Sequence, residues 1–439
     1  MLTPQIRQER GQAIVLLALA LIGLLGFAAV ALDGGNIYTE QRHAQSAADN
    51  AVLAAAYQFM SGVNSTTTLS NTALANAAVN DYDNNTTSNW VSFYRPPKDG
   101  AYVGNSSYMQ VVITERVPTA LAHLVYNGPF QLTVSAVGYA KFGGPPVDGN
   151  AIVALDPHGC GIIQINGSGS STNGIATTNG GIFANSDGSA CTGGNSVVDI
   201  NGSHGTISSA PPYGISIVDP NSGSAYDPSI SPTPTIGVAP VSSDPLADLV
   251  PPTCASGPGG TPSSGTINPG TYNSLNATGA LTLNPGLYCI TDTGNNVINT
   301  GPSGILSGAG VTLYVPYGEV NLQQGTVNLR APSETRNPEC AATPALKENP
   351  ASVCHYLGMV FYLGRTNIQG ITLAGNAGWN VEGTIYNPNS SVTLSGNGDW
   401  SLTGQILSKN VVASGNGVVT VNFDSREVYK PTPAISLVQ

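Results

Sequence analysis

The sequence predicts one N-terminal transmembrane helix, a small α+β unit, and then a mainly β region built as a parallel β-helix or solenoid. Three observations lead there. Residues 11–32 are an apolar run without a charge. Only 9% of the chain is charged, against roughly 25% in an ordinary soluble domain, while Gly (53) and Pro (31) are abundant, a balance that suits an extracytoplasmic β-rich protein rather than a cytosolic helical enzyme. Short β-type runs in the last third recur at a nearly constant spacing, the mark of a stacked repeat.

The first element is the apolar run. Its 22 residues, at 1.5 Å per residue, reach about 33 Å as a helix, enough to cross a hydrocarbon core. A cleavable signal peptide has a shorter apolar stretch, so a retained anchor is expected. Arg7 and Arg10 precede the run and Asp33 follows it. Positive residues stay on the cytoplasmic side, which places residues 1–10 in the cytoplasm and the chain beyond residue 32 outside.

Residues 33–142 read as a helix followed by an α+β unit. Asp33-Gly34-Gly35-Asn36 is a candidate weak point. From Ile37 to Ala56 the chain is Ala-rich, with Ala44, Ala47, Ala48 and Ala51 on one helical face. A second helix is expected over Ala73–Asp81. Met109–Glu115 and Gln131–Val137 have strand patterning, and Pro118–Leu124 reads as a short helix with Pro in its first turn. Small residues on the Ala-rich helix suggest close approach of a partner helix.

Gly143-Gly144-Pro145-Pro146 marks a boundary. Residues 147–210 read as a first solenoid portion, 211–262 as a Pro-rich connector or an irregular loop packed on the solenoid, 263–430 as solenoid repeats, and 431–439 as a C-terminal tail. The repeats are explicit. Leu373-Ala374-Gly375-Asn376 returns as Leu394-Ser395-Gly396-Asn397 and Ala413-Ser414-Gly415-Asn416, at spacings of 21 and 19. Gly383-Thr384-Ile385 returns as Gly404-Gln405-Ile406, Asn268-Pro269-Gly270-Thr271-Tyr272 as Asn284-Pro285-Gly286-Leu287-Tyr288, and Ile165-Asn166-Gly167-Ser168 as Ile200-Asn201-Gly202-Ser203. Gly and Asn supply the corners and stacking closes the core. A β-sandwich is the structural alternative.

The formal charge of −11 with 14 Lys and Arg leaves no cationic face, which excludes a nucleic-acid partner. Six cysteines, none in a CxxC pair, all follow the membrane segment. In an oxidising compartment they favour disulfides. Six allow 15 pairings. Pairing of neighbours would give Cys160–Cys191, Cys254–Cys289 and Cys340–Cys354; buried thiols are the alternative.

No catalytic, cofactor or metal site emerges. Glycosidases need two carboxylates close together, and Asp156, Asp187, Asp199, Asp292, Glu319, Glu382 and Asp399 are scattered; the separation of Glu382 from Asp399 misses the repeat. His43, His123, His158, His204 and His355 share no metal-binding spacing. Trp379 and Trp400 lie one repeat apart, and could form either a sugar-binding aromatic face or coil-to-coil packing.

The stretch Glu9-Arg10-Gly11-Gln12-Ala13, the apolar helix, Ala31-Leu32-Asp33-Gly34-Gly35-Asn36-Ile37-Tyr38 and Gln45-Ser46-Ala47-Ala48-Asp49-Asn50-Ala51 resemble the TadE/TadG-like family of tight-adherence (Flp) pilus assembly proteins, the TadG-like branch most. Val111–Ile113, Val117–Ala122 and Val134–Ala140 resemble the closing part of the same unit. The resemblance implies a non-enzymatic component of the bacterial cytoplasmic membrane whose partners are other pilus assembly proteins. Two departures stand out. Leu16 occupies the position where prepilin-like members carry Glu after the processing glycine. The Asp-x-Ser-x-Ser metal site of many TadG-like members is missing, since Asp187-Gly188-Ser189-Ala190-Cys191 lacks the second Ser. The solenoid is then a spacer or adhesive surface. The rival readings are a membrane-tethered polysaccharide hydrolase or lyase and a carbohydrate-binding adhesin, with surface glycans as the ligand.

Overall fold

A computed structural model describes residues 12–119, 121, 128, 130–141, 143–147, 149–167, 173–202, 205–228, 230–375, 379–396 and 398–438. The expected cytoplasmic residues 1–10 lie outside these, as do His123, His204 and most of the expected helix at 118–124. The chain divides into two units: residues 1–144 with 432–439, and residues 145–431.

In the first unit, helix α1 (Gln12–Met60) runs unbroken for 49 residues. The expected weak point at Asp33–Asn36 does not interrupt it: each glycine costs only about 1 kcal/mol in a helix, and the Asp33 carboxylate, itself 5% exposed, accepts from the Leu121 backbone N–H at 3.1 Å. From Ile14 to Leu32 the apolar side chains face outward, with Phe27 81% exposed, and the segment is long and apolar enough to cross a membrane. In the second half the surface changes. Ala44, Ala47, Ala48, Ala51, Ala55 and Ala56 are buried, spaced as one helical face.

That face is covered by the unit's own elements. Helix α2 (Thr66–Val79), capped by Ser65, contributes Leu69, Ala73 and Ala77. Strands β1 (Asn89–Tyr94), β2 (Tyr108–Val117) and β3 (Phe130–Lys141) form an antiparallel sheet that contributes Val91, Met109, Val111, Ile113, Val134, Ala136 and Ala140. The alanines therefore admit the chain's own sheet closely, and the expected use of this face for a partner helix is corrected. The terminal residues, expected as a tail, form the strand Ala434–Val438, which pairs antiparallel with β3. The second unit is thus an insertion between two adjacent strands of the first unit's sheet.

Among the described residues, the second unit is one 23-stranded sheet in which parallel pairing dominates. Most of the short strands pair with the strand three places on: Ala280–Leu283 with Ile305–Ala309, Gly286–Ile290 with Val311–Val315, Ile298–Thr300 with Val320–Leu322. Three parallel ladders result. The long strands Asn380–Ser395 and Trp400–Ser414 take part in all three. Inward positions are apolar and fully buried, as at Leu306, Leu313, Val320, Ile385, Leu394, Ile406 and Val411, while alternate side chains face out.

The repeats seen in the sequence are mostly ladder register. Gly383 pairs with Gly404 and Asn387 with Ser408; past an irregularity, Ser391 pairs with Asn410 and Leu394 with Ala413. The earlier strand carries extra chain at that irregularity, which is why the repeat is shorter after it than before. The Asn-Pro-Gly-x-Tyr repeat is different. Gly270 pairs with Tyr288 rather than Gly286. The motif instead closes a corner: the Tyr272 hydroxyl donates to the Asn268 carbonyl at 2.7 Å, and that of Tyr288 to the Asn284 carbonyl at 2.8 Å.

Chain order along the ladders is not sequence order. Trp400–Ser414 and Val418–Asn422, late in the unit, pair with Asn150–Ala154, Ile163–Asn166 and Asn173–Thr178 at its start. The early strands therefore continue the ladders beyond the late ones. To begin again at Gly265, the chain must return along the whole stack, and residues 237–264 do so. Residues 211–236, expected inside the connector, carry the strands Ile215–Ile217 and Thr235–Ile236, so the crossing segment is shorter than expected and packed. Leu246 and Leu249 are buried among Tyr356, Tyr362, Tyr386 and Leu407. The bridges Cys160–Cys191, Cys254–Cys289 and Cys340–Cys354 join sequence neighbours, the first arrangement among those the spacing allowed.

Candidate functional site

Within the first unit, a group of ionisable side chains lies between α1, the end of α2 and β2. The Tyr82 hydroxyl sits 3.1 Å from Glu115 Oε2 and 3.4 Å from His43 Nδ1. Burial pushes the Glu115 carboxyl above its ordinary 4.5; the Tyr82 hydrogen bond and His43 oppose the shift, and Glu40 adds to it. Burial and Glu115 together push the Tyr82 phenol upward. A carboxyl raised in the folded state binds its proton there more tightly than in the unfolded chain. Stability is then lost as pH rises through 4.5 and the folded value above it. Glu115→Gln keeps an acceptor for Tyr82 and removes the titration. The variant is expected to gain stability relative to the parent at pH 7 compared with pH 4; an equal difference in thermal midpoint at both pH values would exclude this account.

In the second unit several ionisable side chains are paired. Glu382 accepts from Arg330 at 2.6 Å and Arg336 at 2.9 Å, and Arg336 also reaches Glu427 at 2.6 Å. Asp399 accepts from the Val418 backbone N–H at 2.8 Å, so Glu382 and Asp399 act separately. A cleft of about 290 Å³ holds Asp156, Asp244, Arg365 and Lys409. The sequence reading passed over Asp244, which no spacing marks. Arg365 bonds Asp244 at 2.7 Å, the Leu249 carbonyl at 3.0 Å and the Leu246 carbonyl, while the Tyr386 hydroxyl donates to Asp244 at 2.6 Å. Every one of these bonds fastens the crossing segment to the ladder; Lys409 and Asp156 stand 3.9 Å apart.

His158 brings a Ser and an Asp together, yet both Asp187 (2.9 Å) and Ser189 (3.4 Å) meet the same nitrogen, Nδ1. A nucleophilic triad needs the two partners on opposite ring nitrogens, so the geometry is a surface turn. Ser189, with His158, holds the Asp187 carboxyl below its usual range. Glu339 lies beside Cys340 and Cys354, whose sulfurs form a disulfide and are not metal ligands.

Trp379 and Trp400 do come together, with ring centroids 5.8 Å apart and edge to face. Trp400 is 7% exposed and lies against Gly375. Its Nε1–H donates to the Ser395 carbonyl at 2.9 Å, and that of Trp379 to the Gly325 carbonyl at 3.2 Å. Of the two readings of this pair, packing between successive strands is the one the geometry takes.

On the outside of one ladder, a groove of about 380 Å³ is lined by Asn276, Asn296, Asn299, Thr300, Gly301, Asn321, Gln323 and Gln324. Asn276 pairs with Asn299, and Asn299 with Asn321, in strict register. Sequence inspection missed it although the three asparagines recur at spacings of 23 and 22, because each sits inside an otherwise different strand.

Taken together, the first unit defines a class: a protein whose long apolar helix continues without a break into the core of a small α+β domain. Residues 11–58, nearly all of α1, match the family described as putative Flp pilus-assembly TadE/G-like. No curated protein and no solved structure matches the chain.

Proposed function

We propose that the protein is a single-pass component of Flp (tight-adherence) pilus assembly, anchored by α1 with its N-terminus in the cytoplasm, and that its second unit is a β-solenoid acting as spacer or adhesive surface rather than as an enzyme. The observation that carries the reading is the coincidence of the TadE/G-like match at residues 11–58 with a helix whose first half presents only apolar side chains outward. Arg7 and Arg10 before the helix favour the cytoplasmic N-terminus. Pairing of most short strands with the one three places on supports the solenoid. The acids of the second unit that face a base support a structural rather than catalytic use of charge.

The test uses the native host. Removing the whole chain is expected to reduce surface pili counted by electron microscopy. Restoring a chain that lacks residues 147–430 is expected to bring pili back while attachment to surfaces stays low. The junction is tolerable because Gly143 and Pro433, which flank the insertion, already lie side by side. Unchanged pili and attachment after removal of the whole chain would overturn the reading.

A further inference from the structure

We propose that the amide-lined groove of the second unit binds an uncharged polysaccharide. The inference deepens the adhesive reading of that unit and rests on it.

The groove carries six side-chain amides, from Asn276, Asn296, Asn299, Asn321, Gln323 and Gln324. No ionisable side chain lines it. Each amide offers two donors and an acceptor with two lone pairs, and among the described residues none of the six bonds another protein group. Elsewhere in this same unit, stacked asparagines do bond each other: Asn284 donates to Asn268 at 2.8 Å and Asn201 to Asn166 at 3.3 Å. Those pairs stiffen the ladder. The groove amides leave their hydrogen-bonding capacity turned outward, where water occupies it until a ligand replaces it.

The same ladder argues for a localised site. Its outward column continues from Asn321 to Thr372, Thr393 and Val412 and on to Gln164 and Asp199, so three consecutive asparagines occur in this column only where the groove lies. Neighbouring strands stand about 4.8 Å apart, close to the length of one pyranose unit. Asn276, Asn299 and Asn321 thus present one amide per sugar to a chain lying across the strands. Mixed donors and acceptors without charge suit hydroxyl groups, which also donate and accept. A polyanion would find no cation here, and a chain with net charge −11 would repel it. No aromatic ring lines the groove, so binding rests on hydrogen bonds and on several sugars being held at once.

The full chain, purified in detergent micelles, would be run through native gels cast with hydroxyethyl cellulose, galactomannan or dextran, with polygalacturonate as the charged comparison. Retardation by at least one neutral polymer is expected. The triple variant Asn276→Ala, Asn299→Ala, Asn321→Ala should weaken it about 100-fold, three lost hydrogen bonds at ~1 kcal/mol each; Asn328→Ala, on a different ladder, should leave it unchanged. Should the triple variant misfold, Asn299→Leu alone keeps the volume, removes donor and acceptor and is expected to weaken retardation about 5-fold, one hydrogen bond at ~1 kcal/mol. Retardation by none of the neutral polymers, by polygalacturonate alone, or equally in parent and groove variants would overturn the proposal. Pili are counted in cells and retardation is read on purified protein, so the failure of either reading shows separately from that of the other.

Discussion

Replacing Gly404 by alanine is expected to lower the unfolding free energy of the β unit by about 4 kcal/mol, the sum of two costs. Gly404 has φ +150° and stands in register with Gly383, itself at φ +130°. An L-residue held in that region is strained by ~1–3 kcal/mol. Its Cβ would also press into the Gly383 carbonyl oxygen and the backbone around it, and relieving such overpacking costs a further ~1–3 kcal/mol. The neighbour is a ladder backbone bonded on both sides, so it cannot turn aside as a flexible side chain would. Gly398→Ala, where an added Cβ meets nothing within 4 Å, should change stability by no more than about 0.5 kcal/mol. Denaturant unfolding can be followed by the fluorescence of Trp379 and Trp400 in a Trp90→Phe background, which confines the signal to the second unit. A loss below about 1 kcal/mol for Gly404→Ala would mean that the two glycines are not stacked in this register.

The joint replacement of Cys254 and Cys289 by serine is expected to be nearly as costly. The bridge closes a 35-residue separation, for which the chain-entropy relation gives about 4 kcal/mol, against about 3 kcal/mol for the 14-residue separation of Cys340–Cys354. The larger effect has a structural location. Cys254 lies in the second half of the crossing segment, ahead of the strand that begins at Gly265, and Cys289 belongs to Gly286–Ile290 on the ladder. Upstream, the segment remains fastened by Arg365 to Asp244 and by the Tyr356 hydroxyl, which donates to the Val250 carbonyl at 2.9 Å. The double serine variant should therefore become sensitive to protease between residues 255 and 264 before it does so near 244–250. Equal losses for the two bridges, or cleavage first at the Arg365 contact, would show that the segment is not held as described.

Much of this architecture is legible in the sequence because it depends on local patterns. An uncharged run of membrane length, a stripe of alanines at helical spacing, and glycines recurring at a nearly constant interval each announce an element or a register. Strand β1 escaped notice although Trp90-Val91-Ser92-Phe93-Tyr94 has the composition of a strand; its shortness and the turn-rich residues around it concealed it. The disulfides sat between. Spacing limited the pairings but did not choose among them, since the choice depends on which cysteines the ladders bring within bonding distance.

The candidate site was less legible. Asn276, Asn299 and Asn321 come into line only through parallel pairing, and the residues between them form other strands and corners. Asp244 and Arg365, distant in the chain, meet because the chain returns along the stack. By itself the sequence determined the long apolar helix, the TadE/G-like resemblance, the β character of the remainder and most of its register, because propensity and periodicity are properties of neighbouring residues. Only the tertiary structure decided that the alanine face is filled by its own sheet, that the last residues complete that sheet, and that the ladders run out of chain order. Those outcomes follow from which surfaces remain to be buried once the local elements have formed, and that is a property of the whole chain.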